Sequence, residues 1–478
     1  MTDVERQPTT GEETAEAAAP PPAPPPRRKV SRWPMWVLGL VIMIDQLDQN
    51  IVRGVVTQLK APVEKGGFHL SDLQVGLLLS SFIAVNGVIS VPAGYLADRW
   101  HRTRTIGHTI IGWSGITALT AAAPNFPILL AVRSALGFGQ GITEPSAGSL
   151  LADYYPAEER GLAFSIQQVL VFIGFGLGIG LGGLVGHALG WRWAFLIVGT
   201  PGVLIAAAAY RLREPRRGHA DRLHLGIDDT DAGPVETTRL FAEGFGPFVR
   251  DMLRGLRADL RTIWSITTMK YALVGVSALL FNVTAVAAAL PQFYERELRV
   301  PNGKAEALIA LMVMLGAIPG VLLGGRVADR YATRIRGARM AIPGYCIMVG
   351  EVLFVLSYCK VPLPLAFPLE VLGVFVFTLA VPALRAGMSD AVPANLRGAG
   401  FGAFNLVSVV FGQAAASIVV FGLAGIFGDN IRTALLLVSP PVFIGGLLLL
   451  RARDHLDADA QKIFEAIVAA MQKEQPEG

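Results

Sequence analysis

Twelve apolar stretches alternate with polar breaks along the chain, each near the ~20 residues that a bilayer-spanning helix requires. They run over 33–59, 71–97, 105–123, 126–152, 161–187 and 191–212, then over 264–290, 304–328, 337–359, 363–388, 398–426 and 430–451. The only long polar break, 213–263, divides them into two sets of six. Residues 1–32 carry Pro20–Pro22 and Pro24–Pro26 followed by Arg27-Arg28-Lys29, which predicts a disordered cytoplasmic tail with a basic juxtamembrane cluster. The apolar run behind it is too long, and lacks the small-residue cleavage site, for a signal peptide. Residues 452–478 form a second tail, in which Ile463, Phe464, Ile467, Val468 and Met471 predict a short helix on the cytoplasmic face.

The polar breaks repeat. Gly94-Tyr95-Leu96-Ala97-Asp98-Arg99 returns as Gly325-Arg326-Val327-Ala328-Asp329-Arg330, 231 residues on. Asp153, Pro156, Arg160, Gly161 and Phe164 return as Asp390, Pro393, Arg397, Gly398 and Phe401 at an offset of 237, and Arg192, Ala194 and Pro201 as Arg432, Ala434 and Pro441 at 240. The chain is two copies of one helical membrane unit, 33–212 and 264–451, joined by 213–263.

Composition agrees. Apolar residues make up 52% and charged residues 16%, against about 25% charged in soluble domains. Arg99, Arg102 and Arg104, Arg160, Arg330, Arg334, Arg336 and Arg339, Arg397, the 213–263 segment and the N-terminal cluster all fall on one side of the twelve spans. Basic loops stay in the cytoplasm, so both termini are expected there. Cys346 and Cys359 lie ~20 Å apart along one helix and cannot pair. No metal-ligand or nucleotide-binding spacing occurs, so no cofactor beyond a proton gradient and no nucleic-acid partner is expected.

Within the long break, Arg213 to Asp231 predicts a solvated linker. Phe241, Phe245, Phe248, Met252, Leu253, Leu256 and Leu260 then recur at helical spacing among Arg250, Arg254, Arg257 and Arg261. That pattern suits either an amphipathic helix on an anionic leaflet or a partly ordered linker.

Charges inside the spans are the candidates for chemistry, because each costs roughly 2.5–3.5 kcal/mol at mid-bilayer. The first span carries Asp45, Asp48 and Arg53, and the fourth carries Arg133 and Glu144. Helical rise places Asp48 ~16 Å and Arg133 ~10 Å from the outer ends of their helices, and Asp45 lies about a turn from the level of Glu144. The 237 offset sets Glu370 where Arg133 stands in the first copy, and an offset of 234 sets Asn282 opposite Asp48. A cation on one half facing an anion on the other suits a zwitterion or an internal ion pair. Glu351 and His187 are expected near the outer rim with structural roles, and Arg53 is expected to snorkel outward. Gly174, Gly176, Gly178, Gly180, Gly182, Gly183 and Gly186 predict close, slidable packing of the fifth helix.

The doubled Gly94–Arg104 loop, the twelve spans and the central break together resemble the major facilitator superfamily. Asp45-Gln46-Leu47-Asp48, Arg133 to Gly139, Leu151 to Pro156 and Gly190 to Phe195 resemble its Spinster-type branch. Two positions depart from that branch: Gln49 follows Asp48 where it has Arg, and Gln140 stands where it has Glu. The glycine run is also similar to a proton-antiporter signature, Gly-Pro-x-x-Gly-Gly, but with Ile179 in place of the proline.

The resemblance implies an all-α membrane fold, twelve transmembrane helices in two pseudo-symmetric six-helix bundles, and a protein that is not an enzyme. It implies a secondary transporter, driven by protons and moving an amphiphilic, lysophospholipid-like lipid by alternating access. A multidrug or organic-anion carrier is the first alternative, and an uncoupled scramblase or substrate sensor the second. Asp48 is then the proton-sensitive carboxylate, Arg133 its switching partner, and Glu144 and Asp45 further proton-coupling candidates. Arg133, Asn282, Glu370 and Gln140 are the substrate-binding candidates. In this superfamily Asp98 points at the N-terminus of helix eleven near Gly398, and forms a latch with Arg99 and Arg102. Asp329 and Arg330 do the same near Gly161, and Asp153, Arg160, Asp390 and Arg397 complete the cytoplasmic gate. The partners expected are membrane lipids, the amphiphilic cargo and protons, with the chain a monomer. An Ala-, Gly- and Arg-rich composition points to a bacterial inner membrane.

Overall fold

The computed structural model describes residues 31–224, 245–301, 304–332, 334–335, 337–428 and 430–474. The Arg27–Lys29 cluster, Phe241, Asp231 and Arg336 lie outside them. The first set of helices is α1 (Trp33–Lys60), α2 (Asp72–Ala97), α3 (Arg102–Thr120), α4 (Phe126–Tyr154), α5 (Ala157–Leu189) and α6 (Trp191–Tyr210). The long polar break contributes a short α7 (His219–His224) and the longer α8 (Phe245–Ser265). The second set opens with α9 (Thr267–Arg296). Its next span is α10 (Lys304–Met312), a π-helical turn at Val313–Ala317, and α11 (Ile318–Ala332). Then come α12 (Ala338–Tyr358) and α13 (Leu363–Ala391). The eleventh span joins α14 (Arg397–Val407) through a π-helical turn, Ser408–Ala414, to α15 (Ala415–Ile426), and α16 (Ile431–Glu474) closes the chain.

Ten of these spans are long and apolar enough to cross a membrane by length and composition. The two not among them are α3, which carries Arg102, Arg104 and His108, and α4, which carries Arg133, Gln140 and Glu144. Local signals set the helix starts. Ser71 and Gln74 form a capping box at α2, and the Asn125 side chain accepts from the Ile128 N–H at α4, each satisfying amides that a helix start leaves open. The second tail does not form a helix of its own: α16 runs unbroken to Glu474, because no glycine or proline interrupts residues 447–474.

Glycine decides how close α1 comes to α5. A Cβ on Gly174, Gly178 or Gly182 would lie 2.2, 2.4 or 2.6 Å from the carbonyl oxygens of Met43, Leu47 and Ile51. The alternate glycines, Gly176 and Gly180, meet open space. So the four-residue subset of the run is the packing face, and it presses against the stretch of α1 that carries Asp45 and Asp48.

Each six-helix set has its own apolar core. One gathers Leu47, Ile51, Val55, Leu129 and Phe195, and the other Met269, Phe293, Ile347, Phe377 and Leu449. The sets meet where α2 crosses α14 and where α5 crosses α11.

Candidate functional site

Asp48 is fully buried, and three hydrogen bonds hold it. Arg133 Nη1 donates to Asp48 Oδ1 at 3.2 Å, Gln140 Nε2 donates to Oδ2 at 3.0 Å, and Arg133 Nη2 donates to the Asp48 carbonyl at 3.0 Å. The Arg133 guanidinium, 2% exposed, also lies 5.5 Å from the Phe195 ring centroid. Gln140 departs from the Spinster pattern, and its amide gives Asp48 a donor where a glutamate would set a second negative charge. Gln49, the other departure, donates to Asp45 Oδ2 at 2.9 Å. Arg53 is exposed and lies over the Phe175 ring at 5.6 Å.

The counterpart residues in the second set are held within that set. Asn282 Nδ2 donates to Glu351 Oε2 at 2.5 Å, and the Tyr294 hydroxyl donates to Glu370 Oε2. Glu351, expected at the outer rim, is 1% exposed inside the bundle, whereas His187 is exposed. Arg133 and Glu370 therefore do not face each other across the bundles, and Asn282 is not paired with Asp48. Each makes its side-chain hydrogen bond within its own bundle, where a local pair costs less than an unpaired buried group.

Glu144 and Arg385 form a charge pair that crosses between the sets. Arg385 Nη2 donates to Glu144 Oε1 at 2.7 Å and Nη1 to Gln167 Oε1 at 3.4 Å, and its guanidinium lies 5.7 Å from the Phe404 ring. The internal repeat gives no hint of Arg385, since the 237 offset maps it onto Gly148. A lone basic residue within the apolar run 363–388 was the available signal.

At one end of the bundles the repeated loops meet glycine to glycine. Asp98 accepts from the N–H groups of Gly398 and Ala399 at 2.7 and 2.8 Å, and Asp329 accepts from Gly161 and Leu162 at 2.8 Å each. A carboxylate at a helix N-terminus satisfies open amides and the helix dipole together. Neither junction leaves room for a side chain. A Cβ on Gly94 would be 2.2 Å from the Gly398 carbonyl oxygen, and one on Gly325 would be 2.4 Å from that of Gly161. Burial pushes the Asp98 carboxyl up to about 7, against its two N–H donors and Arg217.

The remaining gate residues form one buried network. Arg102 pairs with Asp153 (2.5 Å) and Glu214 (2.8 Å), Arg160 with Asp390 (2.6 Å), and Arg397 with Asp153 (2.7 Å). Arg339 bridges Asp390 and Asp329. One expectation changes here. Arg99 does not latch with Asp98: it pairs with Asp259 of α8 at 3.0 Å and lies over the Tyr95 ring at 3.7 Å. Arg330 is exposed at the end of α11.

The larger correction concerns residues 213–224, which are not a solvated linker. Asp221 of α7 bridges Arg160 of the first set and Arg397 of the second, both at 2.5 Å. Gly218 N–H donates to Asp153 at 3.0 Å, and Arg217 donates to the carbonyls of Ala97 (2.7 Å) and Trp100 (2.8 Å). Burial alone would raise the Asp221 carboxyl, but Arg160 and Arg397 outweigh it and hold it below the usual carboxylate range. The connecting segment is thus part of the gate.

Two glycine-on-glycine crossings, two carboxylates on helix N-termini and a buried ionic pair in the first bundle define a membrane carrier of two six-helix halves, closed at the end where the repeated loops meet. The model of the Major Facilitator Superfamily matches residues 38–417, and the chain belongs to that superfamily, whose members are transporters and not enzymes. Among curated relatives, it is 25% identical to the Probable L-galactonate transporter of Escherichia coli (strain K12) over 305 residues, 63% of this chain and 62% of that protein. It is 27% identical to Protein spinster homolog 1 of Homo sapiens over 313 residues, 62% of this chain and 54% of that one. It is 29% identical to the Niacin transporter NiaP of Acinetobacter baylyi over 243 residues, 48% of this chain and 52% of that one. The matches span about half to three-fifths of these relatives' lengths. In fold, the chain resembles an inward-facing, unoccupied bacterial homologue of Spinster (TM-score 0.51, 20% identity, covering 91% of this chain and 97% of that one). It also resembles the transporter FucP in the outward conformation (TM-score 0.60, 16% identity, covering 87% and 98%).

Proposed function

We propose that this transporter couples the entry of a proton to movement of an amphiphilic, lysophospholipid-like cargo by alternating access of its two bundles. The reading rests on one observation: Asp48 is a fully buried carboxylate held by Arg133 and Gln140 of α4. A carboxylate in such a place ionises or takes a proton according to how firmly its donors hold it. Any movement that draws Arg133 away from Asp48 raises the proton affinity of Asp48, so protonation and bundle position are linked. Glu144 and Asp45 are the further carboxylates available to the same proton path. The lipid cargo comes from the likeness to Spinster proteins, and the expected setting is a bacterial inner membrane with both termini inside. The partners are lipids, protons and the cargo, with no resident cofactor.

Uptake of labelled lysophospholipid into proteoliposomes, with and without an imposed pH gradient, tests this. The wild type is expected to accumulate lipid only with the gradient, and Asp48→Asn to lose that dependence. Gradient-independent flux that is equal in both proteins would leave an uncoupled scramblase. An organic-anion carrier is the second reading, favoured by the likeness to galactonate and niacin transporters; it predicts uptake of small carboxylates and none of lysolipid.

A further inference from the structure

α8 belongs neither to the Asp48 site nor to the repeated loops, yet it touches both halves of the gate. It is joined to α9, the first span of the second set, by Ile266 alone, and it packs on α2 and α14. Two contacts tie it to the first set. Asp259 accepts from Arg99 Nη1 at 3.0 Å and from Nη2 at 3.4 Å. Gly255, one turn earlier, lies so close to Tyr95 that a Cβ there would be 2.3 Å from the phenol oxygen. α8 is therefore a strap, continuous with the second set and ion-paired to the Gly94–Arg99 loop of the first.

The rest of its surface is ordered around the helix. Gly255 and Asp259, four apart, share the face turned to the gate loop. Leu253 and Trp264 form an apolar strip that is 57% and 61% exposed, whereas Ile263, turned inward, is 1% exposed. Arg250, Arg254, Arg257 and Arg261 form the next strip, and the small polar Thr262 and Ser265 follow, all of them exposed. Asp251 lies 3.8 Å from Arg250 and 3.9 Å from Arg254, which leaves this side of α8 net positive. Apolar, then basic, then small and polar is the order of acyl chain, headgroup and water at a membrane surface. Depth agrees. α9 starts at Thr267 and is long and apolar enough to cross the bilayer, so Trp264 stands at the level where that span enters, the level tryptophan favours. Charge and shape together select the partner. A soluble polyanion would meet the arginines and leave Leu253 and Trp264 in water, and a zwitterionic leaflet would leave the arginines without counter-charge. We propose that α8 seats on a leaflet of anionic phospholipid, and that this seating holds the gate shut through the Asp259–Arg99 pair. With α8 fixed beside the start of α9, α2 leaves α14 only by breaking that pair or by lifting α8 from the lipid. Leaflet composition thereby sets the ratio of closed to open gate. The inference uses the carrier fold alone and does not depend on the cargo or the coupling ion.

The test uses the full-length protein in nanodiscs of phosphatidylcholine with graded amounts of phosphatidylglycerol. Seating is read from single spin labels on Leu253→Cys and Ala258→Cys, and gate closure from the distance between labels on α2 and α14. With phosphatidylglycerol present, the label at 253 is expected to collide with oxygen from the lipid, and the label at 258 with a water-soluble nickel chelate. Equal access of the chelate to both overturns the seating. The closed-to-open ratio is expected to rise about threefold or more from pure phosphatidylcholine to the highest phosphatidylglycerol content. A ratio indifferent to that content overturns the proposal. Replacing the four arginines by glutamine is expected to remove the rise. A monodisperse Asp259→Asn is expected to keep the label at 253 in the lipid and yet lose the rise, which separates the strap from the seating. A full rise in Asp259→Asn overturns the strap. Soluble glycerophosphoglycerol that raises the ratio as well as the lipid does overturns the leaflet as partner and identifies a site for a soluble anion.

Discussion

Gln140 shows how one side chain sets the chemistry of a neighbour. Its amide donates to Asp48 Oδ2 at 3.0 Å, so replacing it by glutamate exchanges a donor for a like charge at the same distance. Two carboxylates so placed cannot both ionise easily, and the first proton is held more tightly. Gln140→Glu is therefore expected to move the midpoint of pH-dependent transport upward by roughly one unit, measured as initial uptake rate against pH. Asp98 offers a second pH dependence with a sign that follows from burial. Its carboxyl is raised to about 7 in the closed gate, above the ~3.9 of a solvated aspartate. The contribution of Asp98 to the closed gate is then fully present below about pH 4 and is lost as the pH rises through about 7. Cross-linking of cysteines placed across the α2–α14 junction is expected to fall over that range, and Asp98→Asn to flatten the profile. Asp48 was legible as a neighbour of Arg133 because helical rise gives depth and the resemblance to the superfamily sets the first and fourth helices around one cavity. Arg385 could not be found that way, since depth says nothing about which neighbour a side chain faces.

The connecting segment is the element whose character composition concealed. Residues 213–224 are polar and charged, which reads as solvent exposure, and a six-residue helix such as α7 has too few turns to show a period or to be stable alone. It is ordered by tertiary ion pairs, with Asp221 held by Arg160 and Arg397. Asp221→Ala leaves two buried guanidinium groups short of a partner and is expected to weaken the closed gate by roughly 1–3 kcal/mol. Faster hydrogen exchange at the start of α5 and α14 is the measurement. By contrast, the glycine run on α5 announced close packing correctly, because glycines four apart can only form one face of a helix. What it could not announce was the partner, α1, which brings Asp45 and Asp48 under a rigid neighbour.

At the scale of the whole molecule, the duplication was legible from loop motifs hundreds of residues apart, and it foretold both halves of the gate. The two crossings, Gly94 on Gly398 and Gly161 on Gly325, are related by the same internal repeat. Adding bulk at one of them pushes the bundles apart at the cytoplasmic end only. Gly325→Leu is expected to shift the population toward the inward-open arrangement, read as a longer distance between spin labels on α5 and α11. The outer face of α8 is basic: Arg250, Arg254, Arg257 and Arg261 are exposed along one side, while Asp259 on the other holds Arg99. Each basic residue near an anionic leaflet contributes about 1 kcal/mol. Replacing the four by glutamine is expected to abolish any stimulation of uptake by anionic lipid, measured across liposomes of graded composition.

Because the tether between the halves also serves as their lock, covalent continuity and mechanical state are not independent here. Two half-length polypeptides produced together, severed between residues 225 and 244, would keep Asp221 anchored on the first half and should still shut. A break before residue 213 that discards the wedge should leave a pair that assembles but idles with its cytoplasmic mouth ajar.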